Sequence, residues 1–278
     1  MTLTTLNIRM TKPVLHYYDV ADGIVAFSTT RHGGVSRGRL ATLNINPYRG
    51  DDPAAVARNL QSVAAEIGVE PDRMIRLHQI HETACLVVTD GFLHLPAAEQ
   101  TAQEEGKDAV VTDCREVCIG VHTADCVPVL FYDPVRQAVG AAHAGWRGTV
   151  KRIVQCTARR MEEHYGTKPS DLKAVIGPCI SERNFEVGQE VYDAFSAAGF
   201  PMSRIAKRHG KWHIDLPLCN QLQLEELGVP ASHIFQSGIC TYDKSDDFFS
   251  ARILKEGFGT IYTGILLPAL SPSAKTAG

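Results

Sequence analysis

Cys126 and His143 close off a segment built from two apolar runs, VPVLFY and AVGAA, with DPVRQ between them. Thiolate and imidazole are the donors that bind zinc or copper, and they are also a nucleophile and its general base. The Asp133-Pro134 pair favours a turn, because proline fixes its own φ and restricts the residue before it. The two runs are therefore read as neighbouring strands, a reversal that brings Cys126 and His143 to one end of a sheet. Ligand-type residues also gather in RLHQIHETACL (His78, His81), in TADCVPV (Asp125 beside Cys126) and in AAHAGWRG (His143, Trp146, Arg147). His81 lies 45 residues before Cys126, and Cys126 lies 17 before His143. These are not zinc-finger spacings; they suit ligands supplied by separate strands of a preformed scaffold, and a Cys/His/His set leaves a fourth position open. Taken singly, each residue also has a plain structural reading. His122 alternates with apolar neighbours as an ordinary sheet residue, Cys126 could be a small buried apolar group, and Trp146 could simply pack. Spacing alone leaves both a metal site and a Cys/His dyad open.

The elements that must position these residues are read from periodicity. Strand-like runs occur at 24–29, 84–88, 108–112, 116–121, 127–132, 138–142, 174–177 and 261–267. After Gly148, apolar residues recur at Ile153, Val154, Thr157, Met161 and Tyr165, close to a helical template, and Gly166 is placed to end that helix. Further helices are predicted at 53–67, 187–198 and 217–227, and 97–107 is read as a loop or an exposed helix. The fold class is α/β (α+β), with layered mixed sheets flanked by helices. No composition break or linker divides the chain, so residues 1–270 are read as one domain and SPSAKTAG (271–278) as a disordered tail.

Composition narrows the function classes. The 278 residues are 44% apolar and 21% charged, with a net charge of −3. No basic run marks a nucleic-acid partner, and no stretch approaches the ~20 apolar residues of a membrane span. MTLTTLNIRMTKPVL lacks the apolar core of a signal peptide, so a cytoplasmic location is expected. The eight cysteines are scattered without a C-x-x-C pair and are expected to be reduced. Cys85, Cys118, Cys156 and Cys240 are read as core residues of small volume.

LHQIH, TADCVPVLFYD and AAHAGWRG together closely resemble the YfiH-like family, also called laccase-domain proteins or multicopper polyphenol oxidases. TTRHGGVS (29–36), ATLNIN (41–46), GDDPAAVARN (50–59), AVIGPCI, FEVG and FFSAR match further landmarks, so the resemblance covers nearly the whole chain. It implies the fold shared by that family and the cytotoxic-necrotizing-factor-like toxin domain. It implies zinc, with copper as the alternative, on His81, Cys126 and His143. It also implies phosphorolysis of adenosine, inosine and methylthioadenosine, with adenosine deamination as a further activity. The alternatives are a peptidoglycan-editing amidase using Cys126 and His143, or a copper-dependent polyphenol oxidase. For phosphate, Arg147 and the helix start after Gly148 are the first expectation. Arg31, Asn44, His78 and Asp125 are expected at the substrate, Asp125 with a structural role as its rival. The chain departs from the family pattern at His78 (for asparagine), Glu82 (for glycine), Ala251 and Gly259-Thr260.

Overall fold

The computed structural model describes residues 12–269. Strands β1 (Leu15–Tyr18) and β2 (Val25–Thr29) are followed by helix α1 (Pro53–Ile67). The helix forms where its sequence signals lie: the Asp52 carboxylate accepts from the Ala54 N–H, Pro53 opens the first turn, and Gly68 closes it with φ 75°. Next come β3 (Cys85–Val88), α2 (Asp90–Leu93), α3 (Ala97–Glu104), β4 (Ala109–Thr112), β5 (Cys118–Thr123), β6 (Val127–Asp133) and β7 (Ala138–Ala144). Then α4 (Trp146–Val150), α5 (Ile153–Tyr165), β8 (Lys173–Ile176), β9 (Glu186–Val187), α6 (Gln189–Ala197) and α7 (Met202–Ile205) follow. The order closes with β10 (Ala206–His209), β11 (Lys211–Ile214), α8 (Leu216–Glu226), β12 (Ile234–Gln236), α9 (Ala251–Leu254) and β13 (Ile261–Leu266).

The strands form a mixed six-stranded sheet in the order β12-β8-β6-β7-β4-β3, an antiparallel four-stranded sheet β1-β2-β13-β5, and a small β10-β11-β9 sheet. Side chains alternate across each strand, so β6 serves two cores. Leu130 and Tyr132 pack with Val110, Val139 and Ala141 against Ile119, Val121 and Ile265 of the four-stranded sheet. Val129 and Phe131 face the other way, onto Ile153, Val154 and Met161 of α5 and Leu222 of α8. Outside the four-stranded sheet, Leu60 and Val63 of α1 cover Phe27 and Tyr262. The expected layering of mixed sheets between helices is present.

The expected reversal is present as well. β6 and β7 are antiparallel, with Pro128 opposite His143 and Asp133 opposite Ala138. Asp133 Oδ1 accepts from the N–H groups of Val135 and Arg136 and so builds the turn. The helix placed after Gly148 requires correction. Helix starts earlier, at Trp146, and breaks at Arg152, which has φ 65° and a side chain donating to the Ala198 carbonyl and Glu226. Gly166, at φ 69°, does end the second piece. The short strands β1, β9, β10, β11 and β12 have no counterpart in the sequence reading; several are polar, such as AKRH and KWHI. All eight cysteines are unpaired thiols; Cys118 is buried, while Cys85, Cys156 and Cys240 are half-buried. Among the described residues no helix is long and apolar enough to cross a membrane. The tail 271–278 lies outside the described residues.

Candidate metal centre and its cavity

Three separate connections deliver the three donors. β5 and β6 follow one another in sequence but belong to different sheets, so Ala124-Asp125-Cys126 crosses the seam between them and leaves Cys126 at its edge. The crossing needs a left-handed residue, Asp125 at φ 81°. Its carboxylate holds that conformation by accepting from Thr241 Oγ1 (2.7 Å), Ser250 Oγ (3.0 Å) and the Arg252 N–H (2.7 Å). His143 comes from the end of β7, opposite Pro128. His81 comes from the loop before β3, also left-handed, at φ 67°.

Asp108, which the sequence reading did not single out, organises two of these three. Its carboxylate accepts from the backbone N–H groups of Ile80 (3.1 Å), His81 (2.9 Å) and Glu82 (2.8 Å), which secures the unusual His81 backbone. It also bonds His143 Nδ1 at 2.7 Å, while its carbonyl accepts from the His143 N–H. The only signal in sequence was a charge heading the apolar strand DAVVT.

His81, Cys126 and His143 present donor atoms that all lie within 4.8 Å of one another, with Cys126 Sγ 3.9 Å from His81 Nε2. Gly145 permits the convergence: a Cβ there would stand 2.9 Å from His81 Cδ2 and 3.1 Å from Cys126 Sγ. Burial pushes the Cys126 thiol up, but the facing His143 and His81 more than offset it and bring it to about 6. Burial likewise disfavours a charged His143, yet the Cys126 thiolate and Asp108 raise it to about 9. For Asp108, burial is outweighed by the His143 contact and the backbone donors, so its pKa is lowered. The donor set fits a borderline-soft metal ion. With Nδ1 of His143 committed to a carboxylate, Nε2 is left as the ligand atom, the usual orientation device for a ligating histidine.

A cavity opens beside the cluster. Tyr48 and His78 stack on one wall (centroids 4.2 Å apart), with Glu105 at 2.7 Å from His78 Nδ1. The cavity is also lined by Arg49, whose guanidinium lies 4.1 Å over Phe258, and by the buried His122. His78 thus lines the cavity. Ala251 and Thr260, two of the departures from the family pattern, also line it. Glu82 instead forms an exposed ion pair with Lys151 at 2.6 Å and does not line the cavity. Trp146 packs against the core around α5.

The other expected substrate residues stand elsewhere. Arg31 donates to the carbonyls of Ala41 and Ser245 and stacks over Phe249, tying loops together. Asn44 is fully buried, bonded to Asp51, to Asn46 and to the Thr260 N–H. Asp125 is committed to the seam, as its structural reading had it. Arg147 is exposed, stacks on its neighbour Trp146 and does not line the cavity. Tyr48, Arg49 and Phe258 had no sequence signal, because the wall they form exists only when the loop before α1 meets the loop after α9.

Residues 25–268 match the family model described as multi-copper polyphenol oxidoreductase laccase. A purine nucleoside phosphorylase of Bacteroides thetaiotaomicron is 42% identical over 267 residues, covering 94% of this chain and 99% of that protein. Adenosine deaminase RL5 from an unknown prokaryotic organism is 38% identical over 254 residues, covering 90% and 97%. The crystal structure of YlmD from Geobacillus stearothermophilus superposes with a TM-score of 0.85 at 31% identity, covering 93% and 99%.

Proposed function

The chain belongs to the multi-copper polyphenol oxidoreductase laccase family, the YfiH-like proteins, and on that premise we propose that it is a zinc-dependent enzyme of purine nucleosides. It cleaves adenosine, inosine and methylthioadenosine with phosphate, and it also deaminates adenosine. The carrying observation is the convergence of His81, Cys126 and His143 on one wall of a cavity whose other walls are aromatic and cationic. Relatives with this architecture bear the names purine nucleoside phosphorylase and adenosine deaminase, which supports the substrate class.

His81, Cys126 and His143 would hold the metal, which when bound supplies Lewis acidity toward substrate or water. Asp108 keeps His143 in one tautomer and the His81 loop in place. Phe258 and the Tyr48–His78 stack offer π-faces and edges to a planar base. Phosphorolysis and deamination differ in the nucleophile. In the first, a phosphate oxygen takes C1′ and the purine leaves; in the second, water replaces the exocyclic amine. Copper remains the alternative ion for the same donors. Among the described residues there is one cluster of three ligating side chains, which favours nucleoside chemistry over multi-electron oxygen reduction.

The test is incubation of the purified protein with adenosine, with and without phosphate, and identification of the products. Adenine with ribose 1-phosphate marks phosphorolysis and inosine marks deamination. If neither forms while the protein carries zinc, the reading is wrong. A second reading rests on the Cys126–His143–Asp108 alignment, which is also that of a thiolate nucleophile, its base and an orienting carboxylate, as in an amidase acting on a peptidoglycan precursor. It predicts an activity that survives metal removal and is lost on thiol alkylation.

A further inference from the structure

Two groups lining the cavity carry nitrogens with no partner among the described residues. Arg49 gives its Nε–H to the Phe258 carbonyl at 3.1 Å, and its two terminal nitrogens donate to no group among the described residues. The side chain is half-buried, its guanidinium carbon is 4.1 Å from the Phe258 ring centroid, and it lines the cavity that the metal-type cluster also lines. Such a guanidinium is ordered before any ligand arrives and keeps its fork of donors free.

His122 is the second. It is 4% exposed, it lines the same cavity, and its Nε2 is buried with no partner. The bonds around it assign its proton. Thr260 Oγ1 accepts from Asn46 Nδ2 at 3.2 Å, and among the described residues the acceptor within reach of its own hydroxyl proton is His122 Nδ1, also at 3.2 Å. A buried hydroxyl spends its proton where an acceptor exists, so Nδ1 accepts and the neutral ring carries its hydrogen on Nε2. The ring stays neutral because burial, together with the nearby positive groups Arg76, His143 and Arg49, depresses its pKa to about 3. The Gln79 amide accepts from the His122 N–H at 2.7 Å and donates to its carbonyl at 2.8 Å, which fixes that stretch of backbone at the cavity. An orphaned buried donor is costly, and an acceptor supplied by a ligand removes that cost.

We propose that Arg49 and His122 form the phosphate subsite of the cavity, the Arg49 fork taking two oxygens of inorganic phosphate and the His122 Nε2–H a third. Inorganic phosphate offers at least two unprotonated acceptor oxygens near neutral pH, and a planar fork matches such oxygens in pairs. The assignment rests on the nucleoside reading for its biological sense, and it moves the anion from the exposed Arg147 to the part of the cavity lined by Arg49 and His122.

Binding of inorganic phosphate to the metal-loaded protein is measured by calorimetry, together with the KM for phosphate in nucleoside cleavage. The variants are Arg49→Gln, Arg49→Lys, His122→Phe and Arg147→Gln, each checked for unchanged zinc content and far-UV spectrum. Arg49→Gln should weaken phosphate binding roughly ten- to hundredfold, as loss of a charged bidentate partner does. Arg49→Lys should recover part of that, and His122→Phe should weaken binding by a smaller factor. Arg147→Gln should bind as the unsubstituted protein does. Phosphate binding that is absent, unchanged in Arg49→Gln, or lost instead in Arg147→Gln overturns the subsite. Arg49-dependent phosphate binding in a protein that cleaves no nucleoside leaves the subsite standing and removes the nucleoside reading. Nucleoside cleavage with a phosphate KM indifferent to Arg49 does the reverse.

Discussion

At the scale of single residues, Asp108 is the group on which the centre depends without itself ligating. One carboxylate serves four donors: three consecutive backbone N–H groups of the His81 loop and the ring of His143. Asparagine has one acceptor oxygen and adds two donors, so it cannot satisfy the same set. Asp108→Asn should therefore lower zinc affinity roughly 10- to 100-fold, the usual effect of losing a partner behind a metal-ligating histidine. Competition with a chromophoric chelator reads the affinity, and an unaltered affinity in a folded variant would show that His81 and His143 hold their places unaided. Cys126 and His143 could be picked out from sequence because thiols and imidazoles are conspicuous. Asp108 could not, since an aspartate before a strand is commonplace and its partners arrive from residues 80–82 and 143.

Among the elements, α3 carries a comparable hidden feature. Glu104 ends that helix, where the unpaired carbonyls already disfavour negative charge. Burial there raises its carboxyl to about 7, only partly offset by Arg76. The sign follows from linkage: a carboxyl raised from its ordinary 4.5 contributes stability that is fully present below pH 4.5 and lost as pH rises toward 7. Glu104→Gln keeps the shape and removes the titration. The variant should match the unsubstituted protein in urea midpoint near pH 4 and exceed it at pH 8; a difference independent of pH would contradict the burial argument. Element positions were legible where local chemistry is strong, as in α1 with its Asp52 cap and Gly68 stop, and in the β6–β7 reversal at Asp133-Pro134. They were not legible where a tertiary contact decides, as at Arg152, whose bonds to Ala198 and Glu226 stabilise a break that helical periodicity runs straight through.

Across the whole molecule, the centre joins a loop before one sheet edge, a crossing between two sheets and the end of a central strand. A metal bound by all three stabilises the folded state by mass action. Chelation of the zinc-loaded protein should lower its Tm by roughly 5–10 °C for a chain of this size. Cys126→Ala should show no chelator-dependent change, and a zinc-loaded protein whose Tm ignores chelation would mean that the ion sits elsewhere. The sequence by itself determined the layered α/β architecture and marked His81, Cys126 and His143 as candidate ligands. Both are written in local signals: alternation along strands, helical periodicity, turn chemistry and motifs dense in donor side chains. Only the tertiary structure decided which polar residues face the cavity. Arg31, Asn44 and Asp125 look like ligand binders in sequence but are consumed by backbone carbonyls, amides and hydroxyls. Arg49 and His122 look ordinary in sequence but line the cavity with nitrogens that find no partner among the described residues. Hydrogen-bond satisfaction is a property of the assembled surroundings, which a side chain's own neighbours in sequence do not contain.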